Sequence, residues 1–491
     1  MALISYAEQL RRLAAADPDA TAVTDERRSV TRAELDRESN RAARTFADLG
    51  VQPGDLVTIA LHNSVEFVAA TIACWKLGAV PQPVSFMAPP REVAAIVELA
   101  DSRIVVGADP GSHGERVCLP RSWSSAGSQG ATPDAAPDAL RLPDALPLPD
   151  AVSSPWKAMT SGGSTGRPKL ILAGDPGLID PDAQPLLLIR RDGALMMPGP
   201  LYHNGPFMWC TTALLGGSHV VLGGKFDAER TLQLIEQHAC EVMYIVPTMM
   251  HRIWRLPDHV RTGYDISSLQ VVWHLAAPCP AWLKHAWIEW LGAEKIFELY
   301  AGTEAQTATI ITGAEWLEHR GSVGKATPAT LRIVRDDGSD APTGEVGEIY
   351  LRNADGKKTY EYVGAVARTL PDGWESLGDM GRVDEDGYLY LSDRSADMIL
   401  VGGSNVYPAE VEAALEEHPS VGSAVVIGID DDDLGKRPHA LVYLTAPTTD
   451  DELRTHLGER LVRYKIPRSF ERVDAPLRDD AGKVRRSEIR R

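Results

Sequence analysis

Amphipathic helices and short apolar strands alternate along most of this chain, and that alternation restricts its fold more than any other feature. Thr31-Arg32-Ala33-Glu34 is a capping box, a hydroxyl and a carboxylate that satisfy each other's backbone donors at a helix start. The helix it opens carries Leu35, Ala42, Ala43, Phe46 and Leu49 on one face and stops at Gly50. After a Pro53-Gly54 turn, Leu56-Val57-Thr58-Ile59-Ala60-Leu61 reads as a buried strand. A second capping box, Asn63-Ser64-Val65-Glu66, opens a helix to about Leu77, and a helix near residues 92–99 leads into the strand Ile104-Val105-Val106. Strands spaced by helices pair in parallel, with the helices covering both faces of the sheet. The segments Ala194–Met197, His219–Leu222, Val242–Val246 and Val271–Leu275, with helices at about Ala228–His238 and Trp282–Trp290, predict a second such sheet.

Two stretches break the rhythm. Residues 108–153 are rich in Pro, Ala, Asp, Ser and Gly and read as a surface excursion. From about Gly344 the pattern changes to short strands with turn chemistry, as in Asp384-Glu385-Asp386-Gly387 before Tyr388-Leu389-Tyr390-Leu391. The last part forms a small unit with helices at Ala409–Glu416 and Asp450–Arg463 and strands at Ala424–Ile429 and Ala440–Leu444. The fold class is therefore α/β: two parallel-sheet subdomains and a small β-barrel-like one in a large domain over 1–393, then a small α+β domain over 394–491.

Composition narrows the functional classes. A formal charge of −18 argues against a nucleic-acid or anionic-membrane surface, because a phosphate-rich partner needs an excess of Lys and Arg. Cys74, Cys118, Cys210, Cys240 and Cys279 are scattered and never form a C-x-x-C pair, which excludes the usual zinc frameworks and points to a reduced, cytoplasmic protein. No signal-like start and no apolar run of membrane length is present.

Met159-Thr160-Ser161-Gly162-Gly163-Ser164-Thr165-Gly166-Arg167-Pro168-Lys169 concentrates the chemistry. Glycines let backbone N–H groups converge into a nest, and hydroxyls and an ammonium add donors suited to a polyphosphate. The Walker spacing is absent, and Gly and Ser alone would also suit a flexible loop. Four further clusters follow. Glu298-Leu299-Tyr300-Ala301-Gly302-Thr303-Glu304 combines an aromatic face, a hydroxyl and a carboxylate able to hold Mg²⁺, or is simply a tight loop. Asp379 in Gly378-Asp379-Met380-Gly381-Arg382 suits two ribose hydroxyls or an Asx turn. Ser392-Asp393-Arg394 through Gly402-Gly403-Ser404-Asn405-Val406-Tyr407-Pro408 is a charged pivot, a strand, a glycine turn and a helix start, or a plain linker. Gly482-Lys483-Val484-Arg485-Arg486 places a lysine in a basic tail, where solvation is the ordinary fate.

In this order the five blocks resemble the adenylate-forming superfamily of acyl-CoA synthetases, firefly-type luciferases and adenylation domains, over nearly the whole chain. Gly162 stands where a serine is usual, and Ala301 and Leu299 where glycines are usual. The resemblance implies an N-terminal domain and a lid rotating about a hinge at Asp393. It implies a first step that joins a carboxylate to the α-phosphate of ATP and releases pyrophosphate. By the same carry-over, Ser161, Gly162, Gly163, Ser164, Thr165, Gly166 and Lys169 hold the β- and γ-phosphates, and Tyr300 stacks on adenine. Ala277 and Pro278 line the nucleotide pocket, Thr303 touches the α-phosphate and Glu304 holds Mg²⁺. Asp379 binds the ribose with Arg394 nearby, and Lys483 bridges carboxylate and α-phosphate.

His203 in Pro198–Trp209 matches the histidine that lies beside the acyl group in relatives. With Phe207, Trp209, Trp273, His274, Leu299 and Ala301 it suggests an aromatic-walled acid pocket, although Trp209 and Trp273 also suit ordinary core packing. The phrases Tyr-His-Asn-Gly-Pro-Phe and His-Leu-Ala-Ala-Pro-Cys-Pro look most like ligases for bulky cyclic acids and like stand-alone amide bond synthetases. Coenzyme A is the expected acceptor, with Gly402 and Gly403 along its channel and Lys436 and Arg437 available to its phosphates. An amine giving an amide is the alternative. Luciferase-like oxidation and an inactive nucleotide-binding scaffold are the lesser readings, the last disfavoured by the presence of Lys169, Glu304, Asp379 and Lys483.

Overall fold

The computed structural model describes residues 2–123, 148–162, 168–184, 186–327, 329–394, 397–401, 404–431, 434–479, 482–484 and 489. The chain separates into two compact units: residues 1–244, 257–271 and 358–366, and residues 245–256, 272–357 and 367–491.

The first unit holds the first predicted parallel sheet and three of the four strands predicted for the second, Val271–Leu275 falling in the other unit. Leu56–Ile59 pairs in parallel with Val80–Pro83 and Ile104–Val106, and Val117–Leu119 continues that sheet into the segment read as an excursion. In the other sheet Ala194–Met197 lies between His219–Leu222 and Val242–Ile245, with Thr21–Thr24 outside His219–Leu222. The Thr31 capping box forms as expected and opens the helix Arg32–Asp48. The second helix starts one residue later than its motif suggests. Ser64, not Asn63, is the N-cap, and Glu66 turns away to pair with Arg27 and Arg28. A competing ion pair has overridden the local capping pattern.

A hairpin closes this unit's third sheet. Ala158–Gly162 and Pro168–Ala173 are antiparallel, and Tyr360–Val363 adds alongside. Leu170 and Val363 pack with Ala60, Val84, Ile96 and Ala100 in one apolar cluster.

In the second unit Val271–Leu275 and Ile296–Ala301 are parallel neighbours, with Ala308–Thr312 antiparallel beyond Ile296–Ala301 and Lys325–Ala326 at the edge. A five-stranded antiparallel sheet of 331–334, 347–351, 368–369, 375–383 and 389–394 accounts for the change of pattern near Gly344. Pro408–Glu416 and Asp450–Gly458 pack on the long hairpin Val421–Asp431 and Gly435–Leu444, burying Val411, Leu415, Val426, Val442, Leu453 and Leu457. Pro247–Trp254 is a helix that the sequence patterns did not reveal. Among the described residues no helix is long and apolar enough to cross a membrane. All five cysteines are thiols.

Candidate active site

Within the second unit the strand Val271–Leu275 ends in a tight turn. Ala276 takes φ 73°, a left-handed conformation that costs a non-glycine residue about 1–2 kcal/mol. That turn presents Ala277 and Pro278. On the neighbouring strand Tyr300 donates its hydroxyl hydrogen to Asp379 Oδ2 at 2.8 Å, so the residues expected at adenine and ribose are directly joined. Asp379 lies opposite Arg394 where the pairing of 375–383 with 389–394 becomes irregular. Gly378 takes φ 84° there and donates its N–H to Ser376 Oγ. Thr303 and Glu304 follow Tyr300, with the Glu304 side chain buried. A Cβ on Gly302 would strike Leu377 and lie 2.9 Å from the Glu304 carboxylate, which explains the glycine.

Lys483 reaches this region on a turn tied by backbone bonds. The Gly482 N–H donates to the Asp479 carbonyl at 2.9 Å, and the Lys483 N–H donates to Asp479 Oδ1 at 2.8 Å. Gly482 is buried at φ 74°, and a Cβ built on it would lie 3.4 Å from Thr248 Oγ1 and 3.5 Å from the Ala277 Cβ. The Gly-Lys turn therefore abuts the loop expected to line the nucleotide pocket, while the Lys483 side chain is exposed. Arg255 makes a second tie: its guanidinium donates to the carbonyls of Pro419, His418 (3.1 Å) and Val421 (3.3 Å), just beyond the Pro408–Glu416 helix. Arg255→Ala should slow acid-dependent pyrophosphate exchange about fivefold, the effect of about 1 kcal/mol from exposed, screened bonds. An unchanged exchange rate would show that this tie does not help to place Lys483.

The first unit carries the ends of the glycine-rich loop expected at the phosphates. Ser161 and Lys169 face each other across the hairpin, in register. Gly163, Ser164, Thr165 and Gly166 lie outside the described residues, and Ser161 and Gly162 are placed by backbone alone. The Lys169 ammonium lies over the Tyr362 ring at 3.9 Å. His203 is the N-cap of the helix Asn204–Leu215, its ring 4.6 Å from that of Tyr202. Phe207 is in the core, stacked on Trp156 at 5.9 Å and edge-on to Trp75 at 6.5 Å. Trp209 meets Tyr244 edge-on at 5.2 Å.

Strand alternation divides the residues grouped as one pocket wall. Trp273 pairs with Phe297 and Leu275 with Leu299 on one face, which Ala301 shares, while His274 lies opposite Glu298 on the other. His274 is fully buried, and burial holds its pKa well below the usual range, so the ring is neutral. Glu298 is met instead by Lys284 at 2.6 Å, and burial raises the Glu298 pKa. His274 belongs with that buried pair and not with Trp273 and Leu299. Gly402, Gly403 and the side chains of Asp393 and Arg394 lie outside the description. Arg437 is within 3.4 Å of Asp431 and donates to Ser469 Oγ.

Thr248, Arg255 and Lys284 carry no local sequence signal for the contacts described above.

The AMP-binding enzyme family matches residues 10–360, and the C-terminal domain of AMP-binding enzymes matches 410–483. The chain belongs to the AMP-binding enzyme family. Among curated members of this family, a feruloyl-CoA synthase of Amycolatopsis sp is 32% identical over 98% of this chain and 97% of its own length. Among solved members, o-succinylbenzoate CoA synthetase from Bacillus subtilis with its acyl-adenylate intermediate superposes with a TM-score of 0.81 at 25% identity, covering 100% of this chain and 99% of that one. Amide bond synthetase McbA from Marinactinospora thermotolerans gives 0.79 at 26% identity, over 99% of each chain.

Proposed function

We propose that this chain is an ATP-dependent, AMP-forming ligase that activates an aromatic or otherwise bulky carboxylic acid and passes the acyl group to coenzyme A. The observation that carries this reading is the packing of Gly482 against Ala277 and Thr248, in the same unit as the Tyr300–Asp379 pair. It brings the one lysine of the C-terminal turn to the loop where the nucleotide is expected.

In the first step a carboxylate oxygen attacks the α-phosphorus of ATP and pyrophosphate leaves. Both reactants are anionic, so repulsion and misalignment make most of the barrier. Tyr300 and Asp379 hold the nucleoside, Thr303 donates to the α-phosphate, and Lys483 neutralises carboxylate and phosphate together. Ser161 and Lys169 engage the departing phosphates. Glu304 fits Mg²⁺: it is a buried carboxylate beside a hydroxyl, and Mg²⁺ takes one or two carboxylates with the rest of its shell from phosphate and water. Bound there, Mg²⁺ would supply charge neutralisation at the phosphates. In the second step the thiolate attacks the acyl carbon, AMP leaves, and the thiol proton passes to solvent.

The similarity to amide bond synthetase McbA supports one second reading, in which an amine takes the acyl group. Incubation with ATP, Mg²⁺ and a panel of aryl and steroid acids, with coenzyme A or simple amines, separates the two by mass spectrometry. A thioester is the expected product. An amide at modest amine excess would replace it with the second reading, and absence of any acid-dependent pyrophosphate exchange would overturn both.

A further inference from the structure

Gly482 and Lys483 share one peptide plane, and two consecutive side chains hold its two ends. The Gly482 carbonyl accepts from Arg478 Nη1 at 3.2 Å, and the Lys483 N–H donates to Asp479 Oδ1 at 2.8 Å. In a trans peptide these two groups point in opposite directions, so a bond to each fixes the rotation of the plane. That matters beside a glycine. At φ 74° Gly482 has no side chain to restrict its backbone, and an untethered peptide after it could turn over. The direction in which the Lys483 side chain leaves the backbone follows from this plane.

Arg478 is itself held from the side of the helix Pro408–Glu416. A second guanidinium nitrogen, Nη2, donates to Glu412, which is 2% exposed, and Nε lies 3.9 Å from Glu416 one turn further along. The strand Val421–Asp431 fixes both carboxylates: Glu412 accepts the Val426 N–H at 2.8 Å, and Glu416 accepts the Ala424 N–H at 3.1 Å. Leu477 and Val484, which flank Arg478 and Lys483, pack against Val425, Ile427 and Leu441. A guanidinium suits this place because its planar fork bonds a carboxylate and a carbonyl through different nitrogens in fixed directions. An ammonium is a single point of charge, and the Glu412 carboxylate would claim it ahead of a neutral carbonyl.

We infer that Arg478 is a positioning residue for adenylation: anchored on Glu412, it clamps the Gly482–Lys483 peptide and so aims the Lys483 ammonium. The inference rests on the ligase reading, in which Lys483 serves the first step. Arg478 touches neither substrate nor nucleotide in this account and acts through the lysine alone.

The test measures acid-dependent pyrophosphate exchange in four enzymes: wild type, Arg478→Lys, Lys483→Ala and the double variant. Arg478→Lys keeps a charge for Glu412 and should lower exchange about tenfold through kcat, the effect of losing one charge-assisted bond. Transfer from a synthetic acyl-adenylate to the acceptor should stay within about twofold. In the Lys483→Ala background the same change should cost less than about twofold, because the group that Arg478 aims is gone. Glu412→Gln still accepts from Val426 but gives up the charge that anchors Arg478. It should repeat the pattern at about threefold, and it carries the test if Arg478→Lys does not fold. Exchange by Arg478→Lys within about twofold of wild type, a tenfold loss that persists without Lys483, or a matching loss in acyl transfer would overturn the inference. Exchange by the wild-type enzyme decides the ligase reading beforehand, so none of these results touches it.

Discussion

Lys483→Ala should lower acid-dependent pyrophosphate exchange by roughly a hundred- to a thousandfold, the effect of losing one donor aimed at transition-state charge. The Asp479–Lys483 turn is held by backbone bonds and by the Asp479 carboxylate, so truncating an exposed side chain leaves it in place. ATP affinity should stay within about threefold, since Tyr300, Asp379 and Lys169 are untouched, and a synthetic acyl-adenylate should still react with the acceptor at close to the wild-type rate. Exchange at the wild-type rate would remove Lys483 from the chemistry. An equal loss in both half-reactions would point to damage of the fold instead.

Lys284→Met should destabilise the second unit by about 3–5 kcal/mol, because it leaves the buried Glu298 carboxylate without its partner. Neutral His274, with Nε2 3.9 Å from Glu298 Oε2, cannot replace the lost charge. The carboxylate lies two residues before Tyr300 on the same strand, so the pair also fixes the strand that carries the residue proposed to stack on adenine. The double variant Lys284→Met/Glu298→Leu should recover most of the loss, since an apolar pair of similar volume removes both desolvation costs. Urea unfolding of the three variants measures this. A single-variant cost below about 1 kcal/mol would show that the pair is not what holds the strand.

Much of the architecture was legible because it depends on local periodicity. The strands Ala194–Met197, His219–Leu222 and Val271–Leu275 fall where the apolar runs predicted them, since a strand covered on both faces must be apolar throughout. The helix Pro247–Trp254 escaped because it follows a strand with only Val246 between them, and Pro247 at its first turn is a weak start signal. The helix that begins at Asp450 ends at Gly458 and not at Arg463: glycine is a weak helix former, and Arg463–Lys465 makes a separate 3-10 turn.

The site divides in the same way. Glycine-rich runs, a Thr-Glu pair and a Gly-Lys turn are visible in one dimension because their chemistry is confined to a few consecutive residues. Which strand face a residue occupies was not visible: Trp273, His274 and Leu299 look alike as a group, and only the register with Phe297 and Glu298 separates them. The Tyr300–Asp379 bond, the seat of Gly482 on Ala277 and the bond of Lys157 to Asn204 each join residues far apart in sequence. Local backbone preference and residue chemistry determined the elements and the motifs. Only tertiary packing decided which side chains meet, because burial and pairing of charge are properties of neighbours in space.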